Sequence, residues 1–208
     1  MTTTARTTLR TLSVAARAVA VSTVILGLAY PAFILGVGQL ALPAQANGSL
    51  LTPAGQDQPV GSTLIGQDFS DGDGGPLPGY VQGRPSAAGD GYDAAASSGS
   101  NLGPENPALV TQITERRNTL AKANGVPPED IPADAVTASS SGLDPHISPA
   151  FANAQAKRVA AERALPVTRV TDLIQAHTNA ADLGFLGEAR VNVLELNAAL
   201  DALAPMRE

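Results

Sequence analysis

The first pattern along the chain is a long apolar run without a charged residue. It covers residues 18–42 and reads AVAVSTVILGLAYPAFILGVGQLAL. A helix of this length is about 38 Å long at ~1.5 Å per residue. Because the hydrocarbon core of a bilayer is about 30 Å thick, the run predicts one tilted transmembrane helix. Tyr30 and Pro31 lie inside it, where proline can kink a spanning helix.

Basic residues on one side of this run predict its orientation. Arg6, Arg10 and Arg17 precede the run, and no basic residue follows it closely. Cytoplasmic segments carry the excess of Lys and Arg next to a membrane span. Residues 1–17 are therefore predicted to be cytoplasmic, and residues 43–208 to form an extracytoplasmic domain.

A cleaved signal peptide is the alternative interpretation of the N-terminus. Residues 44–46 read AQA, which has the small-x-small pattern of a cleavage site. The apolar run is longer than the 7–15 residues typical of a signal peptide. The pattern therefore favours a retained anchor over a cleaved leader.

After the apolar run, residues 47–104 are rich in Gly, Ser, Asp and Pro. This composition is typical of turns and loops. Two short runs, residues 60–66 and 77–85, have the pattern of strands. Between them, residues 68–78 predict a loop.

From residue 105 onwards the pattern becomes helical. Asn106, Ser148 and Asn192 have the chemistry of helix N-caps, and proline follows the first two directly. Residues 134–149 predict a long turn region. The predicted helices cover residues 107–123, 149–164, 166–177 and 193–203. Because strands and helices are partly segregated along the chain, the predicted class is α+β.

Composition and charge exclude several functions. The chain has no cysteine, so disulfides, thiolate nucleophiles and thiolate metal sites are excluded. The net charge is −6, and the chain beyond its three N-terminal arginines carries −9. Nucleic-acid binding needs clustered Lys and Arg, so an acidic domain with scattered arginines does not favour it.

The motifs typical of catalytic and metal centres are missing from the sequence. It contains neither a G-x-x-x-x-G-K-[ST] loop nor a G-x-S-x-G elbow. His146 and His177, the two histidines, lie on separate segments. A calcium loop starting at Asp71 fails because Gly75 occupies the third ligand position. The sequence therefore predicts no catalytic residue and no metal site.

Six polar strings are not explained by helix caps or by core positions. They read QANGSL (45–50), GSTLIGQDF (61–69), GRPS (83–86), YDAAASSGSNLGP (92–104), VTASSSGLDPHISP (136–149) and GFLGEARVNVLELN (184–197). In this order, behind one N-terminal span, they resemble the C subunit of the bacterial Kdp-type potassium-transporting ATPase. Residues 71–78 differ from that pattern as an additional stretch.

This resemblance implies one subunit of a four-subunit, ATP-driven potassium importer of the bacterial inner membrane. The implied partners are a potassium channel-like subunit, a P-type pump subunit and a small single-span subunit, with lipid around the anchor. The C subunit is implied to assemble and stabilise the complex without catalysis of its own. ATP and potassium would belong to the complex rather than to this chain.

The family has also been described as raising the ATP affinity of the pump. That description assigns a nucleotide contact to a glutamine, for which Gln155 is the matching position. The predicted orientation opposes this role, because it places residue 155 outside the cell and ATP lies inside. The alternative is that Gln155 is a solvated or interface residue of a helix.

The resemblance also gives candidates for structural or interface roles. The candidates in the polar strings are expected to hold irregular backbone by hydrogen bonds, or to lie near the potassium path. These candidates, with two from the span, are Tyr30, Pro31, Arg84, Asp93, Asn101, Asp144, His146 and Asn192. A tethered exported enzyme, and a secreted binding domain released by cleavage, remain open as alternatives.

Overall fold

The structure is a computed structural model, and it describes residues 3–206, with side chains from residue 6. The chain divides into two compact units, Met1–Ser49 and Leu50–Glu208, here named the N-terminal and C-terminal units. The N-terminal unit is helical. Its elements are α1 (Thr3–Val24), a π-helical turn (Ile25–Ala29), α2 (Tyr30–Ala41) and the short α3 (Pro43–Ala46).

The described residues contain one helix long and apolar enough to cross a membrane, Arg6–Ala41. Its 36 residues correspond to about 54 Å at ~1.5 Å per residue, which exceeds the thickness of a hydrocarbon core. The helix therefore begins well before the predicted span of residues 18–42. The part that bears the three arginines is helical as well.

A π turn accommodates the proline in this helix. Pro31 has no backbone N–H, so an uninterrupted α-helix would lose a hydrogen bond at this point. In the structure the N–H of Tyr30 donates to the carbonyl of Ile25, five residues earlier. A π turn is one of the few identifiable causes of a bend in a long helix.

The C-terminal unit contains the four predicted helices with nearly the predicted bounds. Asn106, Ser148 and Asn192 each accept a hydrogen bond from a backbone N–H in the first turn of their helix, as expected. The helices are α4 (Pro107–Asn124), α5 (Ala133–Val136), α6 (Pro149–Glu162), α7 (Val167–Ala176) and α8 (Val193–Leu203), with a 3₁₀ turn at Pro128–Asp130.

The strands are shorter than predicted, and all but β2 lie outside the two predicted runs. In the first predicted run only β2 is a strand, and residues 77–85 form none, so the second strand prediction is wrong. The predicted turn region 134–149 contains α5 and β3. The strands are β1 (Leu50–Leu51), β2 (Gly61–Ser62), β3 (His146–Ile147), β4 (Thr178–Asn179) and β5 (Arg190–Asn192). They form an antiparallel pair, β1–β2, and an antiparallel sheet of order β3-β5-β4. The mixed class is confirmed.

The core of the C-terminal unit is mainly aliphatic. Among the described residues, Phe151 is the one aromatic side chain that is fully buried. Around it lie aliphatic side chains of α6, α7, β5 and α8. Val81, from the stretch wrongly predicted as a strand, is 0% exposed and belongs to the same cluster. An irregular segment therefore passes through the centre of this unit.

Candidate functional site

Residues 78–82, here named the clasped segment, cross the C-terminal unit with their backbone bonded to helix side chains. The N–H of Val81 donates to Oδ1 of Asn197 over 2.9 Å, and Nδ2 of Asn197 donates back to the Val81 carbonyl over 2.9 Å. The N–H of Gln82 donates to Oε1 of Gln155 over 2.8 Å, and Nε2 of Gln155 donates to the Gln82 carbonyl over 3.1 Å. The side-chain amide of Asn197 thus satisfies the N–H and the carbonyl of Val81. That of Gln155 does the same for Gln82.

Two arginines bind the remaining carbonyls of the clasped segment. Nη1 of Arg158 donates to the carbonyl of Tyr80 over 3.1 Å and also bonds the carbonyl of Pro78. Nε of Arg163 donates to the carbonyl of Gly79 over 2.6 Å. A guanidinium offers five donors in a rigid plane, so it can bind several carbonyls that would otherwise be buried without partners.

The guanidinium of Arg163 is itself paired. Its Nη2 lies 2.8 Å from Oδ1 of Asp201, and its carbon lies 4.7 Å from the ring centroid of Tyr80. The Arg163 side chain is 0% exposed. A buried cation is tolerated when a carboxylate, carbonyls and an aromatic face replace its water.

Gln155, the position that matches the family's nucleotide-contacting glutamine, is one of the side chains that hold the clasped segment. Gln155 is 0% exposed, and its Oε1 also accepts a hydrogen bond from Nη2 of Arg158 over 2.8 Å. The expectation of a solvated residue is therefore wrong, because α6 turns this face into the core. Both polar atoms of the amide have protein partners.

Arg84, Asp144 and His146, which the sequence predicted as separate candidates, lie together. Nη1 of Arg84 is 3.2 Å from Oδ2 of Asp144, and the Arg84 guanidinium also reaches the carbonyl of Thr137 over 3.4 Å. Oδ1 of Asp144 accepts the backbone N–H of His146 over 2.9 Å and lies 3.4 Å from its Nδ1. These contacts join residues 83–86 to residues 136–149.

The carboxyl of Asp144 is more acidic than an ordinary aspartate. Partial burial alone would raise its pKa. The hydrogen bonds from His146 and the charge of Arg84 outweigh this effect, so the pKa is lowered. The ionised form is therefore the one that these partners stabilise.

Asp144 should make the C-terminal unit more stable at neutral pH than in acid. Because its folded pKa lies below its unfolded value, this stabilisation is present above about pH 4 and is lost as the pH falls through the folded pKa. The effect should be about 1 kcal/mol or less, since the Arg84–Asp144 pair is partly exposed and screened. The test compares the melting temperatures of wild type and Asp144→Asn at pH 7 and at about pH 2, below both the unfolded and the folded pKa. The two should converge in acid, and a gap that does not change with pH would contradict the prediction.

A second group of contacts fixes the polar loops around Gly142. Oγ of Ser86 donates to the carbonyl of Gly142 over 2.7 Å and accepts the N–H of Tyr92 over 2.8 Å. The Tyr92 hydroxyl donates to the carbonyl of Arg84 over 2.6 Å. Burial, with a smaller contribution from Asp68, raises the pKa of Tyr92 to about 12, so this hydroxyl stays a donor. We name residues 83–104 and 136–149 the polar loop cluster.

Of the remaining polar candidates, Asp93 and Asn101 lie in the polar loop cluster, and Asn192 is the last residue of β5. Oδ1 of Asp93 accepts the N–H of Ala95 over 2.8 Å. Asn101 has a φ of 51°, and its amide donates to a carbonyl two residues earlier over 3.1 Å. Nδ2 of Asn192 donates to the carbonyl of Thr63 over 2.7 Å, and Asn192 faces His146 across the β3–β5 pair. The other two candidates, in the span, belong to the N-terminal unit.

A cleft of about 410 Å³ opens between the polar loop cluster and α4. Arg84 and Tyr92 line it from the loops, Gln82 from the clasped segment, and Arg116 and Leu120 from α4. Nη1 of Arg116 donates to a carbonyl at the end of α5 over 3.1 Å. The cleft combines apolar walls with a few polar groups and is large enough for a small ligand or a partner side chain.

The sequence analysis named Gln155 but missed the other side chains that hold the clasped segment, which are Asn197, Arg158 and Arg163. Asn197 gave one usable signal, because it lies among Val193, Leu194, Leu196 and Leu200, which are buried on α8. A polar residue within an apolar stripe indicates a buried hydrogen-bonded group. Arg158 and Arg163 lie on a predicted helix, but nothing local indicates that they point inward.

Comparison with known proteins gives consistent matches along the chain. A family model described as KdpC, the c chain of the K⁺-transporting ATPase, matches residues 12–202. The potassium-transporting ATPase KdpC subunit of Beijerinckia indica is 54% identical over 185 residues, covering 89% of this chain and 90% of the relative. The subunit of the same description from Caulobacter vibrioides is 55% identical over 183 residues, with 88% of both chains covered. The one from Mycobacterium tuberculosis is 52% identical over 184 residues, covering 88% and 93%.

Proposed function

The chain belongs to the KdpC family of K⁺-transporting ATPase c chains, and from this premise we propose that it is a membrane-anchored, non-catalytic subunit of a potassium import complex. The main observation behind this proposal is the match over residues 12–202, which includes most of the membrane helix and nearly all of the C-terminal unit. The geometry supports a structural role. Each polar candidate of the C-terminal unit described above binds the protein's own backbone or another side chain.

The proposed topology is a single pass with the C-terminal unit outside the cytoplasm. Arg6, Arg10 and Arg17 lie in the helical stretch before the apolar run, and the positive-inside rule then assigns this end to the cytoplasm. The C-terminal unit begins at Leu50, nine residues after the helix Arg6–Ala41 ends.

In the proposed complex the helix packs against partner helices in the inner membrane, and the C-terminal unit covers the outer face of the channel-like subunit. This contact would stabilise the association of the channel-like, P-type pump and small single-span subunits. The charge of −9 beyond the N-terminal arginines would also raise the local cation concentration, more strongly at low ionic strength.

Gln155 supports the fold in this proposal rather than binding nucleotide. Its amide would have to release Gln82 and Arg158 before it could bind another molecule, and this would leave buried backbone groups without partners. Any effect on the pump's ATP affinity would then be indirect, through assembly of the complex.

Affinity purification of the tagged full chain from its membrane, after gentle solubilisation, tests this function. We expect a large P-type ATPase subunit and a multi-span potassium channel-like subunit to co-purify and to be identified by mass spectrometry. A chain with the same tag but without residues 50–208 is the matched control for the contribution of the C-terminal unit. Recovery of the wild-type chain alone, or of a form that starts near Asn47, would refute the proposal.

A further inference from the structure

The turn between β4 and β5 exposes apolar side chains to solvent. Leu183 is 82% exposed, Phe185 74% and Leu186 50%, and the first two are the most exposed large hydrophobic residues described in the C-terminal unit. We name these three residues the apolar knob. Single exposed hydrophobic residues are common on protein surfaces, but three within four positions of one turn form a patch.

Backbone hydrogen bonds close the turn that carries the apolar knob. The N–H of Asp182 donates to the carbonyl of Leu186 over 2.9 Å, and the N–H of Leu186 donates back over 2.9 Å. Oδ2 of Asp182 lies 3.3 Å from Nη2 of Arg190 on β5. Leu183 adopts a φ of 55°, a conformation unfavourable for a bulky side chain. Leu183 is therefore strained in this turn, and asparagine or glycine at this position would relieve the strain.

The apolar knob is joined to the core through β5. Val191 is 0% exposed and Asn192 is 3% exposed, and β5 pairs with both of its neighbouring strands. A rigid, preformed apolar element loses little conformational entropy when it binds, which favours affinity. Such an element suits a preformed protein pocket better than the surface of a lipid bilayer.

Charge around the apolar knob separates a protein partner from lipid. Asp182 has a side chain that is 68% exposed, Glu188 is also exposed, and Arg190 is paired with Asp182. Lipid insertion of an apolar element is strengthened by basic residues that attract anionic headgroups. The exposed carboxylates instead complement a pocket that has a basic rim.

We propose that the apolar knob inserts into an apolar pocket, rimmed by basic side chains, on the outer face of the channel-like subunit of the same ATPase. This inference rests on the proposed function, because it needs the C-terminal unit to face that subunit. Leu183 and Phe185 are the anchors, and Glu188 pairs with the rim.

The first test is co-purification of the full chain that carries both Leu183→Asn and Phe185→Ser. The melting temperature should stay the same or rise, since Asn tolerates a positive φ and neither side chain is buried. Recovery of the partner subunits should fall at least tenfold. The matched control is Val110→Ser, an apolar residue 52% exposed on α4, which should leave recovery unchanged.

The outcomes of this test distinguish failure of the knob proposal from failure of the proposed function. Wild-type recovery of partners by the double variant would overturn the knob proposal while the proposed function stands. Failure of the wild-type chain itself to recover partners would refute the proposed function, and the knob proposal with it. A tenfold loss confined to the double variant would support both.

Photocrosslinking identifies the occupant directly. Phe185 is replaced by benzoylphenylalanine in the assembled complex, which is then irradiated in the membrane. A crosslink to the channel-like subunit at a site flanked by Lys or Arg supports the proposal. Crosslinks to the pump subunit, to lipid alone or to a second copy of this chain would overturn it.

Discussion

Gln155→Ala should lower the free energy of unfolding of the C-terminal unit by about 2–4 kcal/mol, because the backbone N–H and carbonyl of Gln82 lose their partners in the interior. A typical hydrogen bond contributes about 1 kcal/mol, and each buried group left without a partner adds a penalty of about 1–3 kcal/mol. Arg158 would also lose one acceptor. Chemical unfolding of the full chain in detergent, followed by circular dichroism, measures the change.

The matched control for this substitution is Gln175→Ala on α7. Gln175 is exposed, so its removal should change the free energy of unfolding by less than about 0.5 kcal/mol. Equal effects of the two substitutions on the free energy of unfolding would contradict the stabilising role of Gln155. In a complex that remains assembled, Gln155→Ala should leave the apparent ATP affinity of the pump unchanged. A loss of ATP affinity at unchanged stability would support a nucleotide contact instead.

Gly142→Ala should destabilise the polar loop cluster by about 2–4 kcal/mol, through a steric clash between backbones. A Cβ at this position would lie 2.7 Å from the N atom of Ala88 and 2.7 Å from the carbonyl oxygen of Ser98. Neither backbone atom can move without breaking the contacts that hold the loops together. The φ of 69° adds about 1 kcal/mol of strain for any residue with a Cβ.

Gly125→Ala separates these two contributions. Gly125 ends α4 with a φ of 63°, and a Cβ there would have no neighbour within 4 Å. It should therefore show only the conformational cost of about 1 kcal/mol. The difference in melting temperature between the two variants measures the clash. Equal melting temperatures would show that the loops separate easily and that their close approach contributes little to stability.

The sequence predicted the helices well because their end signals are local. Asn106, Ser148 and Asn192 cap helices with their own side chains, so a short window contains the information. The π turn was harder to predict from the sequence. Proline predicts a disturbance in a spanning helix, but it does not specify which carbonyl is bypassed.

The second predicted strand failed for a reason that no local pattern contains. Residues 77–85 were predicted as a short strand between turns, and Val81 is buried as a strand residue would be. The backbone partners are the side chains of Gln155 and Asn197, which lie 73 and 116 positions away in the chain. Backbone hydrogen bonding by a side-chain amide has no periodicity, and only the tertiary structure shows it.

The polar loop cluster was predicted in kind but not in geometry. Strings of Gly, Ser, Asp and Asn indicate backbone held by side-chain hydrogen bonds. They do not show that Arg84 and Asp144, 60 positions apart, meet. The −9 charge beyond the N-terminal arginines likewise gives no indication of which carboxylates lie beside the apolar knob.

The amides that hold the clasped segment also protect it from aggregation. An extended stretch with free N–H and carbonyl groups is a template for pairing with another chain. Asn197 and Gln155 occupy these groups at Val81 and Gln82, so no edge remains there for intermolecular β-pairing. A membrane subunit that is made before its partners are available would benefit, because it would not associate with other copies of itself through this segment.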